Sequence, residues 1–149
     1  MSGAHCGLVD HTELTDTESL ADSECLRVLR TRAIGRIGVT VDGVPWILPV
    51  SYSVHGNGVV FRTTVGTRFD DLVLDADVVF ETDSADPAFQ SGWAVLGWGR
   101  VSEITDPVEL AELGQLPLRP WVRRDHYRWV HLEFTALTGW RIVQLRAWA

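Results

Sequence analysis

The segment from Phe61 to Arg68 carries the residue types that would bind an oxyanion. It reads Phe-Arg-Thr-Thr-Val-Gly-Thr-Arg: a predicted strand ends in hydroxyl side chains, a glycine follows, and Arg68 lies in the first turn of a predicted helix. Hydroxyls, backbone N–H groups on a turn and a guanidinium together make a cradle for phosphate. In an acidic chain, such a cradle predicts a small phosphorylated ligand rather than a polyanion.

Composition and charge limit the class of protein. The 149 residues are 46% hydrophobic, with a net charge of −7 and an isoelectric point of about 5.1. A chain of this size can fold as one domain with a hydrophobic core. Its acidity argues against general binding of nucleic acid or of anionic membranes. No apolar run approaches the roughly 20 residues that span a bilayer. The N-terminus has no features of a signal peptide, and two cysteines make no disulfide framework, so we expect a cytoplasmic location.

Lysine is missing from the chain, and all 13 basic residues are arginines. Schiff-base chemistry on a side-chain amine is therefore excluded, whether with pyridoxal phosphate or with a carbonyl substrate. Any bound phosphate must be held by arginine, hydroxyls or backbone groups.

The chain is predicted to divide into a tail and one domain. Residues 1–15 are rich in Gly, Ser, His and Thr without periodicity, which is typical of a mobile terminus. His5, Cys6 and His11 lie in this tail, but their spacing matches no strong ligand motif. We therefore expect no metal site, and a single domain over residues 16–149.

A helix is expected between Asp16 and Arg32, with two candidate starts. The sequence Thr-Asp-Thr-Glu of Thr15–Glu18 fits a capping box, whereas Asp22 or Ser23 would cap a shorter helix.

The remainder is predicted to be mainly β, with a few short helices. Asp42-Gly43 is typical of a type I′ hairpin, and Gly56-Asn57-Gly58 closes a second one. Six or so antiparallel strands with long bends favour a small closed barrel over an open sheet. The predicted strands are 35–41, 44–54, 59–64, 78–81, 93–104 and 129–145, the last interrupted at Thr138-Gly139; short helices are predicted at 67–74 and from Pro107 to about Gly114, and a polar loop at 83–91 with Pro87.

Prolines and glycines inside these strands carry further information. Pro45 and Pro49 lack an N–H, so they belong on a sheet edge or at a bulge. Gly97 and Gly99 flank Trp98, which lies on the opposite face, and they predict a sharp bend or a close approach of two backbones.

Four stretches of the chain carry a resemblance to a known family. They read ECLRVLRTRAIGRIGVTVDGVPWILPVSYSV, VVFRTTVGTRFDDL, SGWAVLGWGRVSEI and LTGWRI. Each motif is loose, but their order and spacing are more specific. Over about Glu24 to Val143 the chain resembles the pyridoxamine 5'-phosphate oxidase-like family of FMN-binding split barrels.

The resemblance implies a six-stranded antiparallel split β-barrel that forms a homodimer, with one FMN in each of two clefts between the subunits. The strand matching Ile47–Tyr52 would run along the isoalloxazine ring and offer it backbone groups, here those of Pro49, Val50 and Ser51. Trp93 and Arg141 would reach the flavin from the other subunit. The FMN phosphate would lie at the strand, turn and helix whose residues are Arg62, Thr63, Thr64, Gly66, Thr67 and Arg68.

Three departures from the family pattern limit what the resemblance implies. True pyridoxamine phosphate oxidases are longer, and their C-terminal substrate-binding segment is not found here, which argues against that substrate. Related nitroimidazole-resistance reductases carry a histidine where this chain has Arg62. The basic residue on the phosphate side is often lysine in relatives, and here Arg68 must serve.

Several of these residues also fit a structural role. Arg62 fits a water-facing strand residue, a phosphate contact, or a partner of Asp70 or Asp71. Trp93 fits packing in the core or at a dimer interface, where aromatic residues are enriched. Arg141 fits an interface salt bridge as well as a cation that stabilises reduced flavin.

No catalytic side chain stands out. His126 and His131 are five residues apart, so they fall on opposite faces of a strand and are not expected to bind one metal together. Either could donate a proton to a substrate on the flavin.

Three functions remain open. The first is an FMN-dependent oxidoreductase that passes a hydride or electrons between flavin and a small substrate in the dimer cleft. The second is a reductase of the same fold that uses the deazaflavin F420, whose acidic tail could meet the basic cluster of Arg119, Arg123 and Arg124. The third is a non-catalytic protein that binds flavin or heme.

Overall fold

Seven β-strands and three short helices make up the described part of the protein. The computed structural model describes residues 17–86, 91–118 and 126–142. The strands are β1 (Thr17–Ser19), β2 (Ile34–Val41), β3 (Val44–His55), β4 (Gly58–Thr64), β5 (Asp77–Asp86), β6 (Ser91–Glu103) and β7 (Tyr127–Ile142). The helices are α1 (Asp22–Leu29), α2 (Arg68–Val73) and α3 (Pro107–Leu113).

Six of the strands close into a ring. The sheet order is β1-β7-β4-β3-β2-β5-β6, and β7 also pairs with β6, so β2 to β7 form a barrel in which every pairing is antiparallel. The predicted six-stranded antiparallel barrel is confirmed. The sequence did not predict β1, a three-residue strand that pairs with the end of β7. Its residues, Thr-Glu-Ser, lack the apolar alternation that marks a strand.

The ring encloses the main hydrophobic core. Alternate side chains of each strand point inward, and α1 and α2 contribute side chains to the same core. Its largest fully buried side chains include Leu29, Ile37, Phe61, Phe80 and Leu132. A second, smaller cluster lies outside the ring, where α3 packs Leu113 against Val60 of β4 and Trp129 of β7.

Both predicted hairpins are present. Asp42 and Gly43 have φ values of 50° and 77°, the left-handed conformation that a type I′ turn requires at both central residues. The second hairpin turns at Gly56, with φ of 56°, and pairs His55 with Gly58.

The predicted capping box at the start of α1 is wrong. Thr17 and Glu18 lie in β1, and the helix begins at Asp22 after Ala21, which makes no side-chain cap. The shorter helix is therefore correct, with its cap one residue earlier than predicted. Pairing with the end of β7 holds residues 17–19 in an extended conformation, which is a tertiary effect that local capping signals do not report.

Two strands run further than predicted. β5 continues to Asp86, so the first part of the predicted polar loop is strand, because Asp83 and its neighbours pair with β6. β7 passes through Thr138-Gly139 without interruption. A Cβ on Gly139 would lie 2.7 Å from the Cys25 sulfur, so this glycine makes room for α1 rather than ending the strand.

The close approach predicted at Gly97 and Gly99 is confirmed. A Cβ on Gly97 would lie 2.4 Å from the Phe134 ring, and one on Gly99 would lie 1.9 Å from a backbone oxygen of β7. The register between β6 and β7 shifts at this point, since Trp98 pairs with Ala136 and Gly99 with Phe134. One residue of β7, Thr135, is thus extra, as in a β-bulge.

Some predictions fall on parts of the chain outside the described residues. These are the predicted tail with His5, Cys6 and His11, the part of the predicted polar loop that contains Pro87, the basic cluster of Arg119, Arg123 and Arg124, and the end of the last predicted strand after Ile142.

Tyr52 links helix α1 to the barrel. Its side chain is 2% exposed and its hydroxyl donates a hydrogen bond of 2.6 Å to the carbonyl oxygen of Leu29, at the end of α1. Burial raises the pKa of Tyr52 to about 12, because an ionised phenolate would be poorly solvated there. Burial also raises the pKa of the Cys25 thiol.

We expect alkaline unfolding to report on Tyr52. The raised pKa means that the folded protein favours the neutral phenol. This contribution to stability is fully present below about pH 10 and is lost as the pH rises through about 12. No lysine titrates in this window, because the chain has none. The free energy of unfolding, measured by urea denaturation, should therefore fall with pH less steeply in Tyr52→Phe than in the wild type.

The matched control is Tyr127→Phe, since Tyr127 is 50% exposed and lies outside the core. This variant keeps Tyr52 and should decline with pH as the wild type does. Equal slopes in Tyr52→Phe and the wild type would contradict the assignment.

Candidate functional site

Strand β3 changes partners halfway along its length. From Val44 to Ser51 it pairs with β2, and from Tyr52 to His55 it pairs with β4. β4 meanwhile continues along β7 as far as Thr64. Over the first half of β3, the described residues therefore place no strand on the edge that faces away from β2, and the barrel is split there.

The backbone groups on this open edge can be identified from the ladder. The N–H of Tyr52 donates to the carbonyl of Ala33 on the β2 side. Because successive residues of a strand direct their N–H and C=O to opposite edges, those of Ser51, Pro49 and Ile47 point to the open edge. Pro45 has the same orientation, so both prolines lie where no ladder hydrogen bond is needed. Their predicted edge placement is confirmed.

The three predicted residues of β3 present different groups at the split. Val50 is buried in the core, so its side chain cannot touch a ligand on the open edge. Pro49 is exposed and offers a carbonyl, while Ser51 is half-buried and offers both an N–H and a carbonyl. The edge therefore alternates acceptors with donors, an arrangement that suits a flat heterocycle with the complementary pattern.

Helix α2 lies beside the split and brings Arg68 to β3. Phe69, Leu72 and Val73 of this helix pack against the core. Arg68 is exposed, and its guanidinium carbon lies 4.8 Å from the ring centroid of Trp46. This cation–π contact orients the guanidinium next to the open edge of β3. Sequence analysis did not identify Trp46 as a candidate site residue. Its position could have suggested it, because it directly precedes the stretch Ile47–Tyr52 that the resemblance places along the flavin ring.

The turn between β4 and α2 is organised by a carboxylate from its own chain. Asp70 is 3% exposed and accepts hydrogen bonds from the hydroxyl of Thr63, at 2.6 Å, and from the backbone N–H of Gly66, at 3.2 Å. The Nε of Arg128 on β7 lies 2.9 Å from the same carboxylate. Thr67 caps the helix, accepting from the N–H of Asp70 and donating to the carbonyl of Thr64.

Several donors of the predicted phosphate cradle are thus engaged within the protein. Thr63 and Gly66 bind Asp70, and Thr67 binds the backbone of its own turn. Of the other predicted residues at this turn, Arg68 is exposed and Thr64 is half-buried. Sequence reasoning missed the role of Asp70, which lies one helical turn after Gly66 and could have been recognised as a capping carboxylate.

The guanidinium of Arg62 contacts a backbone carbonyl and two aromatic rings. It lies outside the ring and donates to the carbonyl of Leu118. Its guanidinium carbon lies 4.7 Å from the ring centroid of Tyr127 and 5.3 Å from that of Trp129. The pairing with Asp70 suggested from the sequence is wrong, because Asp70 binds Arg128. Arg62 holds the segment after α3 against the barrel.

Trp93 and Arg141 are brought together by the fold. They are direct cross-strand partners in the β6–β7 ladder, and Glu18 of β1 is the partner of Arg141 on the other side. Thr63 at the turn is paired with Arg128, thirteen residues before Arg141 on the same strand, which is roughly 40 Å of extended chain. In this chain, the pair therefore lies at the opposite end of β7 from the turn.

A groove of about 570 Å³ lies on the outside of the barrel next to the open edge. Its floor crosses four strands, from Ile47 of β3 through Gly38 and Val79 to Trp98 of β6. Ile47 is 74% exposed. The outside of the barrel thus presents an apolar, concave surface beside the backbone groups of β3.

Two histidines of the described ranges lie near α3, and the third lies beside the turn before α2, where the carbonyl of His126 accepts from the N–H of Val65. His55 Nε2 lies 3.0 Å from Glu109 of α3, and His131 Nε2 lies 3.2 Å from the carbonyl oxygen of His55. His126 is exposed just before β7. Within residues 17–86, 91–118 and 126–142, no group of three or more His, Cys, Asp or Glu side chains could hold a metal ion. No described helix is long and apolar enough to cross a membrane.

Comparison with known proteins identifies related sequences and folds. Residues 21–144 match the family described as pyridoxamine 5'-phosphate oxidase. An uncharacterised protein of Mycobacterium tuberculosis is 34% identical over 125 residues, which cover 80% of this chain and 82% of that protein.

Solved structures share the fold. A FAD binding protein from Mycobacterium smegmatis matches with a TM-score of 0.73 and 33% identity, covering 83% of this chain and 96% of that one. A FAD and heme binding protein from the same organism has a TM-score of 0.71 and 13% identity, covering 89% and 76%. At 13% identity the second likeness concerns the fold alone.

The split barrel with its open edge of β3 and the family match lead to the same family assignment. The match at residues 21–144 covers most of the chain and includes β2 to β7 and all three helices. The resemblance inferred from the four sequence stretches is confirmed, and the chain belongs to the pyridoxamine 5'-phosphate oxidase family.

Proposed function

We propose that this protein binds a flavin nucleotide along the open edge of β3 and acts as an oxidoreductase on a small substrate. The observation that carries the proposal is the unpaired edge from Val44 to Ser51. The FAD binding protein from M. smegmatis, at 33% identity, supports the cofactor class.

The chemistry of the edge fits the ring of a flavin. The pyrimidine side of isoalloxazine alternates carbonyl groups with nitrogens that donate or accept hydrogen bonds. The edge of β3 offers the N–H and C=O of Ser51, the C=O of Pro49 and both groups of Ile47, spaced along an extended strand. A strand held in the barrel by β2 presents these groups without reorganisation, which favours binding.

The phosphate end of the nucleotide is assigned to Arg68. Its guanidinium is exposed and oriented by Trp46 beside the same edge, and a guanidinium makes strong charge-assisted hydrogen bonds to phosphate. The half-buried Thr64 is assigned a second contact to the phosphate through its hydroxyl. In this proposal the cation and the backbone edge bind the two ends of one ligand.

A homodimer would complete the site. Trp93 and Arg141 lie at the far end of β7 from the turn, so they reach a flavin bound there only from a second copy of the chain. The exposed apolar side chains Ile34 of β2 and Ile47 of β3, the second of which lines the groove, are suited to bury against such a copy.

When bound, the flavin supplies the redox chemistry, the transfer of a hydride or of electrons. The protein's contributions are to position the ring against the backbone of β3 and to anchor the phosphate with Arg68. Arg141 of the second copy would place a cation near the ring and stabilise its anionic reduced form.

The first expected result is that the protein purifies with, or takes up, a flavin nucleotide. After gel filtration, a dimer-sized peak should show a flavin absorption spectrum, and mass spectrometry should identify FMN or FAD in the released cofactor. Release of F420 would replace the flavin in the proposal with a deazaflavin, and a heme spectrum without flavin would contradict it. A protein that takes up none of the added flavins would also contradict it.

Ser51→Pro should test the backbone edge directly. Proline removes the N–H that points away from β2 and leaves the ladder with β2 intact, as Pro45 and Pro49 already do in the same register. We expect the affinity for flavin to fall by about three- to tenfold, the value of one hydrogen bond. Ser51→Ala keeps the N–H and is the matched control. Equal affinities for the two variants would exclude a contact at this N–H.

Arg68→Ala should weaken the binding of flavin nucleotides but not that of riboflavin, which has no phosphate. Removal of one charge-assisted contact is expected to lower the affinity for FMN or FAD by about ten- to a hundredfold. Fluorescence titration measures all three ligands. Arg27→Ala, an exposed arginine on α1, makes the same change in net charge elsewhere and should leave binding unchanged. A parallel loss of riboflavin affinity in Arg68→Ala would remove the phosphate assignment.

A further inference from the structure

The open edge of β3 has more hydrogen-bond acceptors than donors. Residues 45, 47, 49 and 51 direct their backbone groups to this edge, as the N–H of Tyr52 and the register with β2 establish. Ile47 and Ser51 each offer an N–H and a carbonyl, whereas Pro45 and Pro49 offer a carbonyl alone. The edge therefore has four acceptors and two donors, because proline removes every second donor.

These backbone groups have no partner in the described part of the chain. Over this half of β3, the strand alongside is β2, and it lies on the other edge. Within residues 17–86, 91–118 and 126–142, no hydrogen bond reaches the groups that Ile47, Pro49 and Ser51 direct away from β2. A ligand on this edge is therefore matched against the acceptors and donors counted above.

The length of a flavin ring determines how many of these groups it meets. The polar side of isoalloxazine carries O2, N3–H, O4 and N5 in order, and it extends about as far as two residues of a strand, roughly 7 Å. Neighbouring groups on one edge belong to residues two positions apart, so the ring covers one such pair. Each pair between Ile47 and Ser51 includes Pro49, and it therefore supplies two carbonyls and one N–H.

The two redox states of flavin differ on this side of the ring. The oxidised ring has three acceptors, O2, O4 and N5, and one donor, N3–H. Two-electron reduction adds two electrons and one proton, in sum a hydride, and N5 becomes an N–H donor. The reduced ring thus has two donors for the two carbonyls of the edge. With the oxidised ring, one of these carbonyls faces no donor, and a polar group without a partner costs free energy.

We infer that Pro49 is a specificity-determining residue for the redox state of the cofactor. By removing an N–H from the edge, it favours reduced over oxidised flavin and raises the midpoint potential of the bound cofactor. The inference rests on the proposed flavin site at the edge of β3. Hydrogen bonds to the ring nitrogens are one of the means by which a protein tunes a flavin.

The test compares the midpoint potential of bound flavin between variants. The wild type and Pro49→Ala are saturated with FMN or FAD, whichever the wild type binds more tightly, and are reduced slowly with dithionite beside a reference dye. Pro49→Ala restores an N–H that points away from β2, which should strengthen the binding of oxidised relative to reduced flavin by about three- to tenfold. The potential should therefore fall by about 15 to 30 mV, since a tenfold change corresponds to about 30 mV for two electrons.

Pro45→Ala is the matched control. It restores an N–H on the same edge, two positions before Ile47 and outside the proposed contact, so it should keep the potential of the wild type. Ser51→Pro makes the opposite change, because it removes an N–H inside the contact. Its potential should rise.

An unchanged potential in Pro49→Ala, or an equal fall in Pro49→Ala and Pro45→Ala, would overturn the inference. A fall of the potential in Ser51→Pro would also overturn it, and this variant keeps the inference falsifiable if Pro49→Ala does not fold. Failure of the wild type to bind either FMN or FAD would instead contradict the proposed function.

Discussion

At Tyr52, strand β3 exchanges β2 for β4 as its partner, and the rest of the structure depends on this change. A six-stranded antiparallel ring can close only if its strands are staggered, and the stagger here leaves the first half of β3 with a partner on one side only. Backbone groups on a buried edge without partners would be costly. This edge of β3 has no neighbouring strand among the described residues. The cost is reduced because Pro45 and Pro49 have no N–H that needs a partner.

The buried side of the same exchange is held by Tyr52 itself. Its hydroxyl binds the last carbonyl of α1 while its ring packs edge-on against Phe80 of β5, with 4.8 Å between the ring centroids. The residue at which β3 changes partners is thereby fixed to the helix before β2 and to β5, which lies two strands away in the ring. The same contacts position its neighbour Ser51 at the open edge. The backbone N–H of Ser51, a proposed binding group, is therefore held in place by core packing at Tyr52.

The turn before α2 shows how a carboxylate of the chain itself can organise the donors around it. Asp70 accepts hydrogen bonds from the hydroxyl of Thr63 and the backbone N–H of Gly66 and forms an ion pair with Arg128, so it joins three separate parts of the chain. Arg68 is then oriented over Trp46. The positive charge available near this turn therefore depends on which arginines already have anionic or carbonyl partners. The total number of arginines does not predict it.

The sequence by itself determined the fold class, the hairpins and most strand positions, because these follow from local periodicity and turn chemistry. Asp42-Gly43, the edge prolines and the glycines of β6 each carried a local steric or hydrogen-bonding reason that the fold retained. The four stretches also identified the family. The tertiary structure alone decided which partner each candidate side chain binds. Asp70 takes Thr63 and Gly66, Arg62 is bound by Leu118, and Trp93 is paired with Arg141. These outcomes depend on which residues meet across the ring, over sequence separations as long as the 75 positions between Gly58 of β4 and Glu133 of β7, and no local pattern in the chain encodes such contacts.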